Sequence, residues 1–240
     1  NNSEIQGHIF STLDELSSYS DLEMLKNKYN SILYPSHIEK SKIVIEENQI
    51  YLNEYKTDTC TVIRKLLEMS HFGVEGYTES MDFKIDFGFI DVDCDEKKKI
   101  LLKMFSESRV AMVYGSAGVG KTTLIKHVSK YFSDKNILFL TQTNSAKNNL
   151  EMRMKNESHN HSFSTISGFV NETTWVNSDC ELLVIDESST VSNSDMVKVL
   201  NKVNCNLMLL VGDIYQISSI RFGNWFTAAR NFLPEALYLS

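Results

Sequence analysis

Nine consecutive residues with the sequence GSAGVGKTT could hold the phosphate groups of a nucleotide. They match the pattern GxxxxGK[ST] and stand between an apolar stretch and a helical one. The glycines let backbone N–H groups turn towards an anion, Lys121 would reach the β- and γ-phosphates, and the Thr122 hydroxyl would bind Mg²⁺. The alternative is a glycine turn without a ligand. The predicted cradle consists of Gly115, Ser116, Ala117, Gly118, Val119, Gly120, Lys121, Thr122 and Thr123.

Two adjacent carboxylates could supply the chemistry that a phosphate cradle lacks. The segment ELLVIDESS is an apolar strand that ends in Asp186 and Glu187. Successive side chains leaving a strand point in different directions, so one carboxylate could hold Mg²⁺ while the other faces an attacking water. We assign Asp186 to the metal and Glu187 as general base. The alternative for Glu187 is an ordinary acidic residue on the surface.

A third segment, LMLLVGDIYQISSI, begins as a buried strand and ends in polar residues. Leu207 to Val211 are apolar, but Asp213 and Gln216 follow within a few positions. If the strand belongs to a parallel sheet, these two side chains lie where such sheets bind ligands, at the carboxyl ends of the strands. The alternative is a capped loop that happens to contain a glutamine.

The elements that must position these residues alternate between strand and helix from Asp95 onwards. The strands RVAMVY, NILFLT, CELLVID and LMLLVG are short and continuously apolar, and a helical segment follows each one. This pattern is typical of an α/β domain whose parallel sheet is covered on both faces. We therefore predict one α/β domain over residues 96–240.

The first third of the chain has a different composition. Residues 1–95 hold 8 Lys and Arg against 18 Asp and Glu, a net charge of −10, whereas residues 96–240 hold 16 against 13, a net charge of +3. A helix that begins after Ser20, a hairpin within KIVIEENQIYLNEY and a helix within TDTCTVIRKLLEMS predict a small α+β domain over residues 1–95.

The segment MDFKIDFGFIDVD in this region alternates between apolar and polar residues. Met81, Phe83, Ile85, Phe87 and Phe89 are separated by polar residues and Gly88, a period of two that predicts a half-buried strand. No cluster of polar groups at catalytic spacing occurs in residues 1–95. We expect this region to be structural or to bind a protein partner.

The composition also bears on the class of protein. No stretch approaches the roughly 18 uncharged apolar residues of a membrane span, and the first residues form neither a basic leader nor a cleavage site. The four cysteines form no CxxC pair, so neither a zinc knuckle nor a disulfide framework is indicated. We expect a cytoplasmic protein without a membrane partner.

Three segments in this order, GSAGVGKTT, LLVIDESS and LLVGDIYQISSI, resemble the first RecA-like domain of superfamily 1 helicases, most closely the RecD-like branch. The resemblance covers about residues 96–240 and implies a RecA-like P-loop NTPase that uses ATP and Mg²⁺ on single-stranded DNA. It implies that Gln216 contacts the γ-phosphate, with Asp213 as a supporting polar contact. In that family the strand before this glutamine lies between the other two.

Two further segments resemble the parts of the family that contact a nucleic acid strand. In FLTQTNSAKNNL the candidates are Thr143, Asn144 and Ser145, and in FSTISGFV the candidate is Thr165. The second segment has Ser167 where the family has a histidine, which leaves that position without an assigned role.

The sequence departs from the family in two other respects. The glutamine that reads adenine is absent, and Lys97 to Lys99 occupy its neighbourhood, so ATP is expected from the resemblance alone. The family also has a second RecA-like domain whose arginines complete the ATP site, and Arg221 and Arg230 follow the third segment too closely to be those arginines. We expect a fragment of a longer helicase or translocase. The alternatives are a nucleotide-gated regulatory module that binds a partner, and a small-molecule kinase.

Overall fold

A computed structural model describes residues 10–154, 160–172, 179–213 and 225–240. Its main feature is a six-stranded sheet in the order β6-β5-β7-β8-β4-β9, in which every neighbouring pair is parallel. This confirms the predicted α/β fold with a parallel sheet. The strands are β4 (Val110–Tyr114), β5 (Ile137–Thr141), β6 (His161–Thr165), β7 (Asp179–Ile185), β8 (Asn204–Gly212) and β9 (Glu235–Tyr238).

Strand β8 lies in the middle of this sheet, between β7 and β4. Its last six residues are all buried, and they run beside both neighbours in register, with Leu209 opposite Val184 and Ala111. A strand covered on both faces needs apolar residues at successive positions, which explains the continuous run from Leu207 to Val211. The carboxyl ends of β4, β7 and β8 therefore meet at one edge of the sheet.

Helices cover the two faces of the sheet, and alternate residues of the strands point into two separate cores. Ala111 and Val113 belong to one core, whereas Val110 and Met112 belong to the other. This follows from the period of two along a strand. The helices are α1 (Leu22–Ser31), α2 (Ile38–Ser41), α3 (Asn53–Met69), α4 (Tyr77–Asp86), α5 (Asp95–Lys103), α6 (Lys121–Tyr131), α7 (Asn144–Met154), α8 (Ile166–Asn171), α9 (Asn193–Lys202) and α10 (Trp225–Ala229).

A small antiparallel sheet lies near the start of the chain. Its order is β1-β3-β2, formed by β1 (Phe10–Thr12), β2 (Ile43–Glu46) and β3 (Gln49–Leu52), with a short 3-10 helix at Asp14–Leu16. The predicted hairpin is β2 and β3. The helix predicted to begin after Ser20 is α1, but its cap is Asp21, whose Oδ1 accepts a 2.8 Å hydrogen bond from the N–H of Met24.

The prediction of a strand from Met81 to Phe89 is wrong, because this segment forms most of α4. Tyr77, Met81 and Ile85 recur every four residues and pack into the core. Phe83 and Phe87 instead contact each other, with ring centroids 4.3 Å apart. Phe83 and Phe87 are 54% and 69% exposed. Two helical stripes, one buried and one exposed, interleave in the sequence and imitate the alternation of a strand.

Two helices that precede residue 95 contribute to the cores on the two faces of the parallel sheet. Val62 and Leu66 of α3 belong to the core on one face, and the Asn193 amide at the start of α9 donates a 2.6 Å hydrogen bond to the Thr59 hydroxyl. Tyr77 of α4 belongs to the core on the other face. The cores of the sheet therefore include elements on both sides of the predicted domain boundary.

Strands β6 and β9 were not predicted from the sequence. His161–Thr165 is polar and only partly buried, as befits the edge of a sheet, and β9 is only four residues long. Among the residues that the structure describes, no helix is long and apolar enough to cross a bilayer.

Candidate nucleotide site

The predicted phosphate cradle forms the turn between β4 and α6. An added Cβ at Gly115 would lie 2.1 Å from the backbone oxygen of Leu239, a distance that no side chain can occupy. Gly118 and Gly120 have φ angles of 87° and 95°, which residues with a side chain rarely adopt. Gly115 is therefore required because another part of the backbone approaches it closely, and Gly118 and Gly120 are required because of their backbone conformation.

The Lys121 side chain lies over this turn. Its Nζ donates 2.7 Å hydrogen bonds to the backbone oxygens of Gly115 and Ser116. Burial lowers the pKa of Lys121, while the charges of Asp213 and Asp186 oppose that shift. The ammonium group is thus held at the mouth of the turn, between the backbone loop and two carboxylates.

The predicted carboxylate pair follows β7 directly. Burial raises the pKa of Asp186 to about 6, although the Glu187 backbone N–H donates a 2.9 Å hydrogen bond to its Oδ1. Glu187 is exposed and has a φ of 56°, a left-handed conformation that costs about 1 to 2 kcal/mol in a residue with a Cβ. Both residues line one pocket at the carboxyl edge of the sheet.

The end of β8 completes the edge of the sheet. The backbone N–H of Asp213 donates a 3.2 Å hydrogen bond to the Ser189 hydroxyl, which ties this strand to the loop after β7. An added Cβ at Gly212 would lie 2.7 Å from the Phe226 ring, so any other residue here would force that buried ring to shift. Gln216, the predicted γ-phosphate contact, lies outside the described residues.

These residues enclose a pocket of about 470 Å³ at the carboxyl edge of the sheet. It brings together Lys121 and both carboxylates, as the sequence predicted. It also includes Arg153, which no motif in the sequence indicated. Of the predicted cradle residues, Gly115, Ser116 and Val119 do not line it. The lining residues are Ala117, Gly118, Gly120, Lys121, Thr122, Thr123, Arg153, Asp186, Glu187, Gly212 and Asp213.

The oxygen groups of this pocket fit a magnesium ion bound together with phosphates. Thr122 and Asp186 both line it, one from the cradle and one from β7. Mg²⁺ is commonly held by only one or two protein oxygens and completes its coordination with water and phosphate oxygens. Among the described residues, no group of three or more His, Cys, Asp or Glu side chains could hold a metal without such help.

The residues predicted to contact nucleic acid lie at the same edge of the sheet. Thr141 of β5 is paired with Thr165 of β6, so the segments after both strands are neighbours. The Thr143 and Thr165 hydroxyls accept hydrogen bonds from Ala146 and Gly168 N–H groups, at 3.1 and 3.0 Å, and thereby stabilise the starts of α7 and α8. A capping role explains both threonines locally.

Asn144 and Ser145, the other two candidates, are exposed beside these caps. Both lie in the first turn of α7, where backbone N–H groups and the helix dipole favour a negative charge. Their contact with nucleic acid remains a prediction.

A buried lysine lies directly behind the cradle. Lys97 is 6% exposed, and its Nζ would lie 2.8 Å from an added Cβ at Gly120. It forms a 2.5 Å ion pair with Asp93, and His127 lies 4.0 Å from the other oxygen of that carboxylate. Its neighbour Lys98 turns away to pair with Asp82 and Asp86. Of the lysines noted near the missing glutamine, Lys97 is thus the one that supports the cradle.

Comparison with known sequences agrees with this geometry. A search of curated proteins finds no match. The family model described as AAA domain matches residues 95–238, which includes all six strands of the parallel sheet and the whole pocket. The match covers more than half of the chain, and the chain belongs to the AAA domain family of P-loop NTPases.

Proposed function

We propose that the protein binds Mg-ATP in the pocket at the carboxyl edge of the sheet, hydrolyses it, and uses the hydrolysis to move on single-stranded DNA. The observation that carries the first part is the convergence of Lys121, Asp186 and Glu187 on one pocket of about 470 Å³. A P-loop domain suggests nucleotide binding and hydrolysis, and the carboxylate beside the metal site supports cleavage as well as binding.

Each group has a defined task in this proposal. The glycine turn and Lys121 bind the phosphates, while Thr122 and Asp186 would hold Mg²⁺, which supplies neutralisation of phosphate charge. Glu187 orients the attacking water and accepts its proton, because its exposed carboxylate lines the same pocket as Asp186, which would hold the metal. Phosphoryl transfer depends mainly on such positioning and on charge neutralisation.

The proposal of a RecD-like motor rests on the residues around the pocket. Strand β8 lies between β4 and β7, the arrangement that the resemblance to superfamily 1 helicases implies. Its continuation contains Asp213 and Gln216, which we assign to the γ-phosphate. The candidates Thr143, Asn144, Ser145 and Thr165 lie at the ends of the adjoining strands, so a nucleic acid strand bound there would be close to the nucleotide.

The test measures steady-state ATP hydrolysis as single-stranded DNA is added. We expect stimulation by DNA, and we expect Glu187→Gln to lower turnover about 100-fold or more while Mg-ATP still binds. Heparin, added at the same concentration of negative charge as the DNA, is the control for a nonspecific effect of polyanions on turnover. Turnover and DNA affinity that do not respond to each other would refute the motor and leave an ATPase of another kind.

A nucleotide-gated module that binds a protein partner is the second candidate. Apolar side chains near α1 favour it, since Ile32 and Tyr34 are 74% and 79% exposed. The discriminating measurement is hydrogen exchange over residues 22–34 with and without Mg-ATP. A nucleotide-dependent change there, together with DNA binding that ignores nucleotide, would favour the partner-binding module over the motor.

A further inference from the structure

Arg153 is the one cation besides Lys121 among the described residues that line the pocket. It lies in the last turn of α7 and is exposed. Among the described residues it forms no ion pair and no side-chain hydrogen bond, unlike Arg64, which pairs with Glu68 at 2.9 Å. A guanidinium group carries five N–H donors in a planar fork, so Arg153 has its full binding capacity available to a ligand.

The helix holds Arg153 at a defined position. Leu150 and Met154 of α7 are almost fully buried, and they anchor the helix in the core that α6 also enters. Arg153 lies three residues after Leu150 and one before Met154, at the border of this buried face. The side chain is therefore flexible only beyond its Cα, and its base is fixed relative to the cradle.

The charge of Arg153 is directed at the carboxylates of the pocket. Together with Lys121 it opposes the rise in the pKa of Asp186 that burial causes. Asp186, Glu187 and Asp213 supply three negative charges to the lining against two positive ones. A nucleoside triphosphate adds several more negative charges, so a second cation in the lining would stabilise it.

We propose that Arg153 is a catalytic residue that binds the γ-phosphate oxygens of ATP and neutralises the charge that develops there during hydrolysis. This inference rests on the proposed ATPase function. Arg153 lines the same pocket as Lys121, Asp186 and Glu187, and its charge acts on Asp186, so it lies beside the carboxylates between which the γ-phosphate must be attacked.

In the step that Arg153 assists, the water oxygen bonds to the γ-phosphorus and the bond from that phosphorus to the bridging oxygen breaks. The water proton passes to Glu187, and ADP leaves with the bridging oxygen. Arg153 remains protonated throughout, because a guanidinium group does not release its proton in this pH range. The chain thus provides a charge-neutralising arginine of its own.

The test compares Arg153→Met and Arg153→Lys with the unchanged protein. Dissociation constants are measured for Mg-ADP and for Mg-ADP with aluminium fluoride, which mimics the transferring phosphoryl group, together with kcat for ATP. We expect Arg153→Met to lower kcat by about 10- to 100-fold, and to reduce the preference for the aluminium fluoride complex by a similar factor. Affinity for Mg-ADP should stay within about twofold, and Arg153→Lys should retain part of the preference.

Arg109→Met is the matched control, because Arg109 is also exposed but precedes β4 at the opposite edge of the sheet. It should leave all three measurements unchanged. Circular dichroism and the melting temperature check that α7 remains folded in each variant.

The possible results separate this inference from the function on which it rests. Binding of Mg-ADP by the unchanged protein, with Arg153→Met retaining full preference for the transition-state complex, would overturn the role of Arg153 alone. Equal weakening of both complexes by Arg153→Met would also overturn the γ-phosphate assignment. Failure of the unchanged protein to bind any nucleotide would overturn the proposed function itself.

Discussion

The two edges of the parallel sheet carry pockets of similar size and different character. The pocket at the carboxyl edge has a volume of about 470 Å³ and the one at the amino edge about 410 Å³. Both are lined mainly by polar and charged residues. At the amino edge the lining residues are Asp134, Lys135, Asn136, Asp179, Cys180, Glu181, Asn204 and Asn206.

The difference lies in what the polar groups already bind. At the amino edge, the Asn204 amide donates a 2.8 Å hydrogen bond to Asp179 on the neighbouring strand. The Asn206 amide donates one of the same length to Glu181, and Lys135 pairs with Asp134 at 3.2 Å. These groups satisfy one another, as polar residues at a strand end commonly do. Such an edge needs no ligand to be stable.

At the carboxyl edge the protein maintains arrangements that cost free energy. The Asp186 carboxyl has a raised pKa, Glu187 adopts a left-handed backbone conformation, and glycines occupy positions where a Cβ would collide. Backbone strain and perturbed pKa values concentrate at functional sites, because these features serve ligand binding or catalysis and do not stabilise the fold. The comparison shows that this local cost, and not pocket volume, distinguishes a binding site from a crevice.

The largest expected difference between the edges is in nucleotide affinity. Lys121→Ala removes the ammonium group that we assign to the phosphates, and we expect Mg-ATP to bind about 100-fold more weakly or worse. Lys135→Ala removes a lysine from the amino-edge pocket and should leave the affinity unchanged. Isothermal titration calorimetry measures both, and an equal loss in the two variants would abolish the distinction between the edges.

A smaller difference is expected in stability, from the two ends of the same strand. Gly212→Ala places a methyl group 2.7 Å from the buried Phe226 ring, and overpacking of this kind costs about 1 to 3 kcal/mol. Cys205→Ala, near the amino end of β8, removes one half-buried atom and should cost less than about 1 kcal/mol. Urea denaturation gives both values. A Gly212→Ala protein as stable as the original would show that the edge tolerates a side chain.

The smallest expected effect depends on pH. Asp186→Asn removes a carboxyl whose pKa is raised from 3.8 to about 6. Above pH 6 this carboxyl is ionised although it is partly buried, and this lowers the free energy of unfolding of the original protein. Without nucleotide or metal, we expect the variant to be more stable by about 1 to 2 kcal/mol at pH 8, with the gain fading as pH falls through 6 towards 3.8.

Asp179→Asn, at the other end of β7, is the control for this measurement. Its side chain is exposed and its substitute keeps an oxygen that can accept from Asn204, so stability should change by less than about 0.5 kcal/mol at either pH. If Asp186→Asn instead lowers stability at pH 8, interactions within the protein stabilise the ionised carboxylate, and no ligand is needed to explain it.

The sequence predicted what depends on residues close together in the chain. The cradle, the carboxylates and the four apolar strands are contiguous motifs whose chemistry is local, and their convergence follows from the rule that parallel strands end at one edge. The position of β8 between β4 and β7 came from the resemblance to a family.

What the sequence could not predict depends on tertiary packing. The period-two pattern around Phe83 misidentified α4, because only the core reveals which aromatic residues are buried. Arg153 and Lys97 reach the site from helices with no motif, and nothing in their neighbouring residues indicates it. The short strand β9 lacks a hydrophobic period long enough to detect.

The contact between Gly115 and Leu239 has a consequence for the order in which the protein is made. A ribosome releases β9 after every other strand of the sheet, yet β9 pairs with β4 and its neighbour Leu239 lies against the first glycine of the cradle. Contacts between residues so distant in sequence form late in folding, because the entropy of closing a long loop is lost before the contacts can stabilise the structure. Nucleotide binding should therefore arise only after β9 has joined the sheet, and it can serve as a signal that this domain has folded.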